Sequence, residues 1–310
     1  MNAPGDEDDR TASLMTPAKL AQMRPRPAAS PAAWLDRMAA DAGQVHVVRI
    51  GELAGVLVQQ ARGRDDGGIA QALQALGQAL PSLDFELLQT RGLLARMTGK
   101  SKSAGAEFAA QYERIAEAAR GAGSAGQEFL KRQQAGAAAP ERTLVEFEVE
   151  YHAIDKIIDQ GARWLQDMRN QIKARQAEAT TAEEQLKVRE DAARCELLVA
   201  RLKQLRAIST AAQQAHQAAQ AVAQRRAAVA QVLNAQLAGD IKAWNVRLSP
   251  IAANAGDASA PALNLEGPKE THAELRRSVE RAQASCAQLA ADEAALLQGL
   301  EALRAQLPPA

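Results

Sequence analysis

An all-α protein is predicted by three features of this 310-residue sequence. Hydrophobic residues make up 47% of the chain but aromatic residues only 3%, because alanine supplies much of the apolar count. Alanine is the strongest helix former and lets helices approach closely. Its companions Gln, Arg, Glu and Leu also favour helix, and the alternating Val-, Ile- or Tyr-rich runs that mark strands are nearly absent. The third feature is continuity. Between Pro140 and Pro250 there is no proline, and the only glycines are Gly161 and Gly239.

Residues 1–31 hold Pro4, Pro17, Pro25, Pro27 and Pro31 among Ala, Ser and acidic residues, a composition expected to form a disordered arm. A packet of shorter helices is expected over 32–139. Its first helix carries Val47, Ile50, Leu53 and Leu57 and stops at GRDDGG; its second carries Ile69, Leu73, Leu76 and Leu80 and stops at Pro81. A third runs through Phe85, Leu88, Leu93 and Met97, and a fourth through Phe108, Tyr112 and Ile115. The segments GAGSAG and QAGAAAP then read as loops around a short helical piece.

A long antiparallel hairpin is expected over 140–250. Leu144, Phe147, Tyr151, Ile154, Ile158, Gly161, Leu165, Met168 and Ile172 alternate at spacings of three and four, a heptad seam held over four repeats. A helix of that length spans roughly 50 Å, so it needs partners of similar length. Gly161 within the seam suits a close helix approach or a local kink. Thr180-Thr181-Ala182-Glu183-Glu184 supplies two overlapping capping boxes, where a second long helix starts. It runs through Leu198, Leu202 and Leu205 toward Leu233, Leu237, Ile241, Trp244 and Leu248. Residues 251–268 read as a loop, and 269–310 as a C-terminal helix packing on the long ones.

Lys+Arg and Asp+Glu both number 37, so net charge gives no long-range attraction for nucleic acid or an anionic membrane. No apolar stretch approaches the ~18 residues that cross a bilayer. The acidic start MNAPGDEDDR lacks the layout of a signal peptide. Cys195 and Cys286 lie far apart with no CxxC, which fits a reduced, cytoplasmic protein.

Gly99-Lys100-Ser101 superficially suggests a phosphate-binding loop. That loop needs a glycine five positions before Gly99, and Leu94 stands there. A helix C-cap at Gly99 is the better reading, because glycine enters the left-handed region without a Cβ penalty.

Four stretches together resemble the toxic anion resistance (TelA/KlaA, tellurite resistance) family. RIGELAGVLVQQARGRDDGGIAQALQALGQALPSLD is similar to its opening helix pair, and LLARMTGKSK to its segment ending in a GK turn. VEFEVEYHAIDKIIDQGARWLQDM is similar to its long ID-containing helix, and LNAQLAGDIKAWNVRLSPIA to its PLWK region, with Trp244 kept and the Pro and Lys replaced. The order is the family's, over about residues 45–250. The resemblance implies an all-helical cytoplasmic protein tied to resistance against oxyanions such as tellurite. It supplies no catalytic residues.

Chemistry-bearing groups are few. Glu148, His152, Asp155 and Asp159 fall at i, i+4, i+7 and i+11, one helix face that could hold a divalent metal or serve as a solvated ion-pair face; no second helix completes a metal site. Cys195, at helical spacing from Val199 and Leu202, reads as a buried small residue, and a reactive thiol there would need exposure and help from Arg194. His216 reads as a tolerated polar residue in an Ala/Gln stretch. Structural roles fall to Gly99, Tyr151, Ile154, Ile158, Leu165 and Trp244, the last as an anchor at the end of the long helix. The expectation is a non-enzymatic helical scaffold without cofactor, acting in a bacterial stress response through protein partners, with helical surfaces suited to self-association. The alternatives are a thiol- or metal-dependent activity toward tellurite and a coiled-coil structural protein unrelated to oxyanions.

Overall fold

The computed structural model describes residues 36, 41–63, 67–88, 100–136, 138–257 and 264–307. The arm expected over 1–31 and the helix end expected at Gly99 lie outside them. The helices are α1 (Gln44–Arg62), α2 (Gly67–Ala79), α3 (Lys100–Ala135), α4 (Ala138–Glu178), α5 (Ala182–Gln231), α6 (Ala238–Ala253) and α7 (Glu266–Gln306). Two short 3₁₀ turns, Leu80–Ser82 and Phe85–Leu88, follow α2. Pro81 opens the first of them, where its missing N–H ends the α-helical ladder. No strand occurs among the described residues.

A π-helical turn, Val232–Leu237, joins α5 to α6, making one helix of 72 residues. The wider turn puts an extra residue into the ladder. It keeps Leu233 and Leu237, four apart, buried along with Val229 before them and Trp244 and Leu248 after them. Pro250 lies inside α6 rather than at its end, and Asn254 closes the helix by donating from its backbone N–H (3.3 Å) and side-chain amide (2.9 Å) to the Pro250 carbonyl.

The chain divides into two compact units, one formed by residues 1–44 and 154–206, the other by 45–153 and 207–310, so α4 and α5 each contribute to both. In the first unit α4 and α5 run antiparallel. Arg175 Nη1 donates to Asp191 (2.8 Å) and Arg169 Nη2 to Glu196 (3.1 Å), while a Cβ on Gly161 would stand 2.9 Å from the Leu202 methyls. Gly161 therefore serves close approach. Ile154, Ile158, Leu165, Met168 and Ile172 are buried on one helix, and Val188, Cys195, Leu198, Leu202 and Leu205 on the other. The capping box at the start of α5 forms: Thr181 Oγ1 accepts from the Glu184 N–H, and Glu184 Oε2 accepts from the N–H groups of Thr180 and Thr181. Of the two overlapping boxes, Glu184 completes one, while Glu183 pairs with Lys187 at 2.7 Å. Ahead of α1, Gly43 adopts φ +69° beneath Leu205, a conformation that Cβ-bearing residues avoid. The Arg201 guanidinium holds that turn by donating to the Ala42 carbonyl from Nε (3.1 Å) and Nη2 (2.9 Å).

In the second unit α2, α3, α6 and α7 form a four-helix packet. α3 runs antiparallel to the 72-residue helix: Gly105 meets Ala255, Tyr112 meets Trp244, and Gly126 lies against Leu233. α7 runs antiparallel along its other side, with Asp292 paired to Arg225, Glu293 to Arg226, Ser278 bonded to Asp240 and His272 to Trp244. Gln283 Nε2 ties α7 to α2 through the Leu73 carbonyl at 2.8 Å. α1 is fastened to α4 by His46–Glu150 and Arg49–Glu146, both 2.7 Å, and to α7 by Arg62–Glu301.

One expectation is corrected. GAGSAG is not a loop, because α3 is a single 36-residue helix that continues through it. Gly121 and Gly123 each cost roughly 1 kcal/mol relative to alanine in a helix. The buried face nevertheless persists through Ala119, Ala122 and Phe129, and packing overrides local propensity.

Candidate functional site

The turn of α4 around residues 146–152, EFEVEYH, distributes its side chains by helical phase. Phe147 and Tyr151 point into the core, 0% and 4% exposed. Glu146 and Glu150 reach toward Arg49 and His46 of α1. Glu148 and His152 share a third direction. Glu148 Oε1 stands 3.7 Å from His152 Nε2, and its Oε2 stands 4.0 Å from Nε2 of His216 on α5. His216 is buried, with Nδ1 3.4 Å from the Tyr151 hydroxyl and Nε2 3.5 Å from Gln220 Nε2. A buried phenol needs a polar neighbour, and the imidazole answers it. The result is a polar seam in which Glu148 and Tyr151 of α4 meet His216 of α5, while His46 of α1 pairs with Glu150 on another side of α4.

The residues read from the sequence as a metal face fall in both compact units. Glu148 and His152 are half-exposed neighbours in the second unit. Asp155, half-buried, and Asp159, exposed, belong to the first unit. Among the described residues no three His, Cys, Asp or Glu side chains are grouped to hold a metal ion. Cys195 is 2% exposed, and burial pushes its thiol up, against a smaller opposing effect of Arg169. Arg194 turns instead to Asp36 (3.2 Å) and Asp191 (3.4 Å). Cys286 is half-buried, and neither cysteine is in a disulfide.

Trp244 is fully buried and lies flat on Tyr112, ring centroids 5.1 Å apart and planes within 17°. Its indole Nε1–H donates to His272 Nδ1 at 3.1 Å. The His272 ring also bonds the Leu80 carbonyl and meets Phe85 edge-on at 5.7 Å. With Nδ1 accepting from the indole, the neutral imidazole carries its proton on Nε2. Tyr112 Oη completes the cluster by donating to Asn245 at 3.2 Å. This arrangement binds three helices, α3, α6 and α7, and both 3₁₀ turns together around one anchor. It was legible only in part, since Trp244 stands out in the sequence and His272 does not.

Burial lowers the His272 pKa, the Leu80 bond opposes that and Arg276 adds to it. The unfolded imidazole titrates near ~6.5. Below that pH the unfolded chain binds the extra proton first, so stability present above it is lost as pH falls through the folded-state value. Urea unfolding of the native chain should weaken between pH 7.5 and 5.5, by at most about 1.4 kcal/mol per pH unit from this residue. His272→Gln, which can keep both hydrogen bonds without titrating, should flatten that dependence. An equally steep profile in the variant would place the acid sensitivity elsewhere.

No helix among the described residues is long and apolar enough to cross a membrane. Comparison with protein families, characterised proteins and solved structures finds no match.

Proposed function

We propose that this protein is a non-enzymatic helical scaffold of the toxic anion resistance type, acting in the bacterial cytoplasm through protein partners. The link to oxyanions rests on the four resembling stretches. The binding role rests on one observation, a set of outward valines on two helices that are pinned to each other. Val45, Val48 and Val56 on α1 and Val145 and Val149 on α4 are all exposed, Val45 at 78% and Val149 at 60%. Valine at a solvent-facing helix position has lower propensity than Lys, Glu or Ala. Isolated exposed apolar residues are ordinary, but a set flanked by the Arg49–Glu146 and His46–Glu150 pairs suits an apolar helical partner. On this reading the long helices pack antiparallel and present such faces to the partner.

The test pairs the phenotype with the surface. Deleting the gene should lower growth across a tellurite series, and the native gene should restore it. Val145→Glu with Val149→Glu should fail to restore growth while leaving thermal unfolding nearly unchanged, because both sites are exposed. No growth defect on deletion would remove the oxyanion link. Full rescue by the double variant would remove this face from the function.

A further inference from the structure

The valine face of α1 and α4 also carries a sign of charge. On α4 the stretch 141–150, ERTLVEFEVE, holds Glu141, Glu146, Glu148 and Glu150 against Arg142 alone, all of them exposed or half-buried. On α1 the acid among the valines, Glu52, is matched by Arg49 at 2.8 Å. Counted without histidines, the surface around these valines has five carboxylates and two guanidinium groups, an excess of three negative charges.

The pairs within the face do not remove that excess. Arg49 is shared between Glu52 and Glu146, and Arg142 reaches the same Glu146 at 3.4 Å. Glu148 and Glu150 turn to histidines instead. A partner that covers the valines brings its own flanking groups beside these carboxylates. An acidic partner would set like charges together, which costs affinity. Lysine and arginine suit the position twice, because their methylene stems can lie on valine while their heads reach a carboxylate.

The shape of the face suits a helix. α1 and α4 run antiparallel here, since Arg49 meets Glu146 and His46 meets Glu150. Val45 and Val48 stand one turn apart on α1, as Val145 and Val149 do on α4. Val45 to Val56 covers about 16 Å of α1, the length of a partner helix of three to four turns.

We propose that this face takes a basic amphipathic helix of a partner protein, with apolar residues at i, i+3 or i+4 and i+7 flanked by lysine or arginine. The inference rests on the scaffold reading for the face itself and adds the charge of the partner.

The full chain is titrated with two fluorescently labelled helical peptides of about 15 residues. Both carry leucines on one side; one flanks them with lysines, the other with glutamates. The titration is run at pH 8, above the ordinary imidazole range near ~6.5. At low salt the lysine peptide should bind about tenfold more tightly, the combined effect of several exposed ion pairs, and the gap should narrow in about 0.5 M salt. Val145→Ser with Val149→Ser should weaken the lysine peptide about tenfold. Glu141→Lys, at an exposed site, should narrow the gap between the peptides, and adding Glu148→Lys should reverse the preference while thermal unfolding stays near native. Equal affinities, a preference for the glutamate peptide, or lysine-peptide binding untouched by the valine changes would overturn the proposal. A synthetic copy of residues 10–27, which hold Arg10, Lys19, Arg24 and Arg26 and no acid, is the third probe. Its binding more tightly than the lysine peptide would assign the face to this chain's own start and overturn an external partner. Self-association of the native chain that the valine changes abolish would assign it to a second copy, with the same consequence. Growth that still depends on Val145 and Val149 when the charge preference fails would reject the basic partner alone, and the scaffold reading would stand.

Discussion

Trp244→Ala should lower the unfolding free energy by about 3–5 kcal/mol, the range for deleting a large buried aromatic. Three losses coincide at this position. The indole is 0% exposed, so the whole ring volume becomes cavity or forces collapse of the packet. Tyr112 loses the ring it stacks on, and His272 Nδ1 loses the indole N–H that donates to it, leaving a polar nitrogen inside an aromatic cluster. Against a typical domain stability of about 5–15 kcal/mol, that is a large share. Val246, two residues away and 70% exposed, provides the control: Val246→Ala should stay within about 0.5 kcal/mol. Urea titrations followed by far-ultraviolet circular dichroism compare the two. Equal midpoints would mean that Trp244 does not anchor the packet.

Ile158→Asp should be at least as severe, by a different mechanism. Ile158 is 3% exposed in the seam of the first unit. An aspartate there must either remain charged without a partner or take up a proton, and both routes cost several kcal/mol. The native chain shows what a tolerated buried acid requires. Asp191 is 7% exposed, and it is met by Arg175 at 2.8 Å and Arg194 at 3.4 Å. Hydrogen exchange across 154–206 should therefore lose protection in the variant, while Asp159→Ala, exposed one residue later, should leave it intact. Undiminished protection in Ile158→Asp would show that the seam is not what holds this unit.

The sequence alone determined the all-helical class and most of the inward faces. Of the seam read by spacing, Phe147, Tyr151, Ile154, Ile158, Leu165, Met168 and Ile172 are buried and Leu144 at its start is half-buried, because helical phase is a local property of the chain. The start of α5 was equally legible, since a capping box spans only four residues. What the tertiary structure decided is what each face meets. α3 runs unbroken through GAGSAG because Leu233 and the buried alanines of its own face hold it, against glycine's local preference. His216 gained its role from Tyr151, 65 positions away, and His272 gained its role from Trp244, 28 positions away. The alanine stripe at 219, 223 and 227 promises close packing when read alone. It instead lines a cleft of about 840 Å³ together with Leu57, Leu144 and Leu296. Periodicity fixes which way a side chain points, and long-range packing fixes its partner, a pairing that no local pattern of residues encodes.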